Sequence, residues 1–150
     1  MRLLITLIAL AVVAADQKPN FSGSWKLIVS KSDFGASPPP QAMLTRIGHK
    51  EPEILVRSKV TGPQGEYNSE YRYATNGREN INTVRGSEIK SRVNWEGSTL
   101  KVVAHAINAG AQVEFADEWI LSPDRKTLTM TRTISAPQGR VQQRYVYEKQ

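Results

Sequence analysis

Apolar and polar residues alternate with period two through almost the whole of this 150-residue chain, and turn chemistry interrupts them about every eight to twelve residues. That rhythm excludes a helical protein and predicts an all-β barrel or sandwich. Strands are expected near 21–31, 42–49, 53–61, 66–75, 79–84, 88–95, 99–107, 112–121, 126–135 and 140–149. Between them lie Glu51-Pro52, Gly62 to Gly65, Asn76-Gly77, Arg85-Gly86, Glu96-Gly97, Asn108 to Gly110, Pro123-Asp124 and Pro137 to Gly139, which supply fixed or positive φ. Links this short join neighbours, so the strands form an antiparallel meander.

Met1-Arg2, the apolar run Leu3 to Ala15 and the small residues before Asp16 have the form of a cleavable secretory signal, too short to span a bilayer comfortably. Residues 1–15 are thus expected to be removed, which leaves residues 16–150 as one domain of 150 − 15 = 135 residues, secreted or periplasmic. There is no cysteine, so a packed core and not disulfides must hold the exported chain. Without Arg2 the basic count is 19 against 14 acids, a formal +5. The cations are scattered, which leaves room for weak polyanion or envelope contact and argues against a nucleic-acid partner.

Register arithmetic separates the faces. With Trp95 opposite Leu100, Val93 meets Val102, Ser91 meets Ala104 and Ile89 meets Ala106. The next turns place Ala106 opposite Val113, Leu100 opposite Trp119, Trp119 opposite Met130, Asp117 opposite Arg132, and Leu121 opposite Leu128. The last hairpin pairs Ile134 with Val141, Arg132 with Gln143, Met130 with Tyr145, and Leu128 with Tyr147. Thr127, Thr129, Thr131 and Thr133 take the other, solvated face, so the apolar face is the inside. In the front half Met43, Ile47, Ile54, Val56, Val60, Tyr67, Tyr71 and Tyr73 turn inward. The segment from Ser32 to Gln41, with three consecutive prolines, reads as a strap over a barrel end or a spacer.

Phe21-Ser-Gly23-Ser-Trp25-Lys-Leu27 followed by Asp33-Phe34, the Trp95-Glu-Gly-x-x-Leu100 hairpin and the ending Tyr145-Val-Tyr147 resemble the fatty-acid-binding proteins, and Gly-x-Trp is shared with lipocalins. The resemblance implies an antiparallel up-and-down β-barrel of about 8–10 strands of lipocalin/fatty-acid-binding-protein (calycin) type. It also implies a small hydrophobic or amphipathic ligand inside. Two features depart from that family: the Ser32 to Gln41 segment is too short for its helical lid, and the arginine of its Arg-x-Tyr carboxylate grip is replaced by Tyr145. With an export signal, a secreted, bacterial-type lipocalin-like domain fits these facts better than a cytosolic fatty-acid carrier.

Arg132 is the most informative residue, since alternation sets a guanidinium among Leu128, Met130 and Ile134, where a charge must find a partner. On one reading Arg132, Gln143, Tyr145 and Tyr147 position an anionic head group, with Trp119, Met130 and Tyr71 against the apolar part. On the other, Asp117 neutralises Arg132 in a structural ion pair. These eight residues are the candidate ligand site. Trp25 reads as a buried plug at the barrel base, and Tyr67, Tyr71 and Tyr73 as core packing ahead of cavity lining.

His49 and His105 lie on different strands and there is no thiol, so no metal site is expected, and a haem ligated by either histidine is a minor alternative. No Gly-x-Ser-x-Gly elbow or phosphate-cradling loop is present, and the adjacent Asp117 and Glu118 face opposite sides. The functional expectation is a monomeric, non-enzymatic binding protein without cofactor. A barrel with a filled core and no ligand is the alternative.

Overall fold

The computed structural model describes residues 18–150, and the expected export segment, residues 1–15, lies outside them. The strands are β1 (Gly23–Leu27), β2 (Ala42–Lys50), β3 (Glu53–Gly62), β4 (Gly65–Ala74), β5 (Glu79–Val84), β6 (Ser87–Glu96), β7 (Thr99–Asn108), β8 (Ala111–Leu121), β9 (Thr127–Ala136) and β10 (Gly139–Lys149). They form one antiparallel sheet in the order β4-β3-β2-β1-β10-β9-β8-β7-β6-β5, curled into a nearly closed barrel. Among the described residues there is no α-helix, and none that could cross a membrane.

The expected register holds from β6 to β10: Trp95 faces Leu100, Asp117 faces Arg132, and Tyr145 faces Met130. Two-residue turns join β6 to β7, β7 to β8 and β9 to β10 with little slack, and everywhere a one-residue slip would turn the apolar side chains to water.

The first strand is shorter than expected. It ends at Leu27, and Val29–Lys31 form a 3-10 turn. Ile28 N–H donates to Val146 O at 2.8 Å, the chain loops out, and pairing resumes where Asp33 and Arg144 exchange hydrogen bonds of 2.8 and 2.7 Å. In the gap the hydroxyl of Ser32 accepts Val146 N–H at 2.9 Å and donates to Ile28 O at 2.9 Å. A side chain thus stands in for the missing backbone partner, as at a bulge. The excursion delivers Phe34 inward, where it is buried, and starts the proline strap across the upper end of the barrel.

The lower end is solid. Trp25 is fully buried and donates its indole N–H to Phe21 O at 2.9 Å. Phe21 lies parallel to His49 and Trp95, with centroids at 5.7 and 5.8 Å, and meets Trp119 edge-on. Gly23 has a φ of +143°, a backbone conformation that calls for glycine.

The barrel does not close through its backbone. β4 and β5 are neighbours with no ladder between them, and two asparagines span the seam. Asn80 Oδ1 accepts Ala74 N–H and Asn82 Oδ1 accepts Arg72 N–H, both at 2.8 Å, while Asn82 Nδ2 donates back to Arg72 O at 3.1 Å. Both side chains are buried and Ile81 between them is exposed, so alternation aims the two amides along the inside of the wall.

Candidate functional site

Above the aromatic floor the barrel holds a cavity of about 780 Å³, within the range of small-molecule sites. Its wall carries Ile47, Val56, Val60, Trp119, Leu128 and Met130 on the apolar side. Its mouth is framed by the strap residues Ser37 to Pro40, the Gly62 to Gly65 turn, Tyr67, and Arg85 at the β5–β6 turn.

All eight residues proposed from sequence border this one cavity: Tyr71, Asp117, Trp119, Met130, Arg132, Gln143, Tyr145 and Tyr147. Arg132 grips Asp117 with two parallel hydrogen bonds, Nε to Oδ1 at 2.8 Å and Nη2 to Oδ2 at 2.7 Å. Its guanidinium also lies over the rings of Phe115 and Tyr145 at 5.4 and 5.9 Å. Asp117 is buried, and 30% of the Arg132 side chain is accessible. What is accessible faces the cavity. Burial works against the charge, but Asp117, through its own charge and its hydrogen bonds, outweighs this and holds the guanidinium above its ordinary value. Of the two readings of Arg132 left open by the sequence, the geometry is that of the ion pair.

The rest of the row is engaged locally. Tyr145 donates to Gln143 Oε1 at 2.9 Å, and Gln143 Nε2 donates to Phe34 O at 3.2 Å. Tyr147 OH lies 3.6 Å from Met43 Sδ. Tyr71 and Tyr73 stack at 5.7 Å and border the cavity with hydroxyls that have no side-chain partner among the described residues. Burial raises all four phenols above their ordinary value, so they remain neutral donors.

Tyr67, Tyr71 and Tyr73 all border the cavity; Tyr71 and Tyr73 also pack against the hydrophobic core, as the core reading expects, while Tyr67, under Arg85 at 4.3 Å, is half out at the mouth. His49 is a buried node of the floor. Its Nδ1 accepts Phe21 N–H at 3.1 Å, which leaves the proton on Nε2, 2.7 Å from Glu51 Oε1. Glu51 also accepts from Trp95 Nε1 at 3.0 Å and Thr75 Oγ1 at 2.6 Å. Trp25 belongs to that floor and not to the cavity wall. His105 lies elsewhere, 3.8 Å from Glu114, so neither histidine reaches the cavity.

Sequence reading missed Phe34, Thr45, Ser58 and Arg85. Thr45 and Ser58 face each other across β2 and β3 with hydroxyl oxygens 2.8 Å apart. Alternation between Met43 and Ile47 carries that signal for Thr45. Phe34 and Arg85 belong to a strap and a turn, where periodicity is silent.

Cations on the outer face are offset by neighbouring carboxylates: Arg57 and Arg72 by Glu70, Lys59 by Glu66, Lys90 by Glu88, Lys101 by Glu118. Among the described residues no group of acidic, histidine or cysteine side chains is arranged to hold a metal ion.

This fold is similar to the ten-stranded antiparallel barrel of the fatty-acid-binding proteins. Secretory abundant heat soluble protein 4 from Ramazzottius varieornatus superposes with a TM-score of 0.62 over 91% of this chain and 99% of that one, at 18% identity. Zebrafish ileal bile acid-binding protein, solved with cholic acid, gives 0.61 over 87% and 98%, also at 18% identity. A Schistosoma mansoni fatty acid binding protein, solved with arachidonic acid, gives 0.55 over 87% and 96%, at 16% identity. No family model and no curated protein matches the sequence.

Proposed function

We propose that this chain is an exported, monomeric, non-enzymatic carrier that holds one small hydrophobic or amphipathic molecule inside the barrel, contacted by the row from Asp117 to Tyr147 and by Tyr71. The cavity carries this reading: a barrel built only as a scaffold gains by filling its interior, since a wall that faces empty space forfeits dispersion contacts. Here about 780 Å³ is kept open between a packed floor and a framed mouth. Similar barrels holding cholic acid and arachidonic acid lend support. The filled-core alternative has the bidentate Asp117–Arg132 pair in its favour, and the open cavity weighs against it; the positions of His49 and His105 argue against a haem held by histidine.

Native mass spectrometry of the protein from its own host tests the reading, with the uncharged dye Nile red as a probe of the purified barrel. A lipid-like adduct, or a blue-shifted, saturable dye signal, is expected. A clean apo mass together with no dye binding would remove the proposal. The same spectrum reads the mature N-terminus, expected at Asp16.

A further inference from the structure

Among the described residues, four charged side chains border the cavity: Glu66, Arg85, Asp117 and Arg132. Glu66 and Arg85 belong to the mouth, and Glu66 is held by Lys59 at 3.1 Å. The interior therefore contains one cation and one anion in bidentate contact, with no net charge.

A carboxylate that reached Arg132 would stand next to Asp117, whose repulsion cancels most of the attraction, and would still have to give up its water. An uncharged hydroxyl or carbonyl gives up far less.

The same pole is rich in hydrogen-bond donors. Two N–H groups of Arg132 are used by Asp117 and the others have no acceptor among the described residues. The Tyr71 and Tyr73 hydroxyls are open to the cavity, and the indole N–H of Trp119, another wall residue, is buried without an acceptor. What this pole lacks is an oxygen that accepts hydrogen bonds without bringing a charge.

From this we infer that the ligand is an uncharged amphiphile whose hydroxyl or carbonyl oxygen sits beside Arg132, Tyr71 and Tyr73, and that the Asp117–Arg132 pair, having no net charge, gives carboxylates of the same chain length nothing to offset their desolvation. The inference rests on the carrier reading and adds the ligand class. Asp117 is then a specificity residue: it satisfies the guanidinium with an internal anion, so an external one gains nothing.

Displacement of Nile red from the delipidated full-length protein by 1-dodecanol and by dodecanoate at pH 8 tests it. The alcohol is expected to compete at least tenfold better on the wild type. In Asp117→Asn, which frees the guanidinium, the preference is expected to shift toward dodecanoate by at least tenfold relative to the alcohol, whatever the variant does to both. Should that variant fail to fold by circular dichroism, the neutral pair Asp117→Asn/Arg132→Gln replaces it. Dodecanoate should then bind as weakly as to the wild type, within twofold, because the pair it replaces had no net charge.

Equal or stronger competition by dodecanoate on the wild type, or a tenfold loss of dodecanoate in the double variant, would show that Arg132 grips carboxylates and overturn the inference while leaving the carrier reading intact. If neither the dye nor either competitor binds, the carrier reading fails and the inference with it.

Discussion

The side-chain amide of Asn82 forms two hydrogen bonds with the backbone of Arg72, accepting from its N–H at 2.8 Å and donating to its carbonyl at 3.1 Å. A strand edge normally offers such a pair of groups to another strand. Here an asparagine completes the pattern, and Asn80 does the same at Ala74. A barrel with two free edges is open to edge-to-edge association, and the asparagines occupy part of the exposed template from inside.

Replacing either residue with alanine should cost about 1–3 kcal/mol by leaving the Arg72 or Ala74 N–H unpaired. Hydrogen exchange locates the effect: amide protection should fall at Arg72 in Asn82→Ala and at Ala74 in Asn80→Ala, with the β7–β8 ladder unchanged. Unaltered protection at both amides would mean that water replaces the side chains without loss.

Glu51 predicts how the floor responds to acid. Partial burial opposes its charge, but hydrogen bonds from Thr75, His49 and Trp95 outweigh that and hold its carboxyl below its usual 4.5. A folded value below the unfolded one means that the unfolded chain binds the proton more readily, so the stabilisation is complete above the unfolded value and is lost as pH falls from about 4.5 through the lowered folded value. Glu51→Gln should therefore melt a few degrees below the wild type at pH 7, with the gap closing at lower pH. A gap constant down to pH 3 would show that the contacts, and not the charge, carry the effect.

Alkali should act on the upper barrel with the opposite sign. Burial raises Tyr71, Tyr73, Tyr145 and Tyr147, so the folded state keeps its phenol protons where the unfolded chain gives them up, and stability declines as pH rises above about 10. Phenolate absorbance near 295 nm should accordingly lag in the folded protein and rise sharply on unfolding. Ionisation of these four at their ordinary value, with the far-ultraviolet spectrum unchanged, would mean that water reaches the wall freely.

The sequence made the back half of the barrel readable to the residue pair, because Gly97-Ser98, Ala109-Gly110 and Pro137-Gln138 allow little slack, and across the longer 122–126 link the apolar alternation sets the same register. It did not show the break after Leu27, where a serine hydroxyl replaces a backbone partner and leaves the apolar pattern undisturbed. Asn80 and Asn82 looked like polar positions of an ordinary strand, although asparagine is a poor strand former. Period two tells which way Tyr71 and Tyr73 face, but whether that face meets packing or space depends on the summed volume of ten strands. The pairing of Asp117 with Arg132 was legible as adjacency, and its bidentate form was not.

That pair supports a thermodynamic cycle. Asp117→Ala leaves a guanidinium in an enclosed wall with no anion, and should cost about 3 kcal/mol, the low end for a broken buried pair because the cavity side of Arg132 is accessible. Arg132→Met strands the more deeply buried carboxylate and should cost at least as much. If the pair is a closed electrostatic unit, the Asp117→Leu/Arg132→Met double variant removes both charges at once and should be less destabilised than either single variant, since desolvation of two ions offsets much of their attraction. Urea denaturation of the four proteins yields the coupling directly. Additive losses would mean that each group is stabilised by something other than its partner, and the neutrality of the cavity pole would then have to be sought elsewhere in its wall.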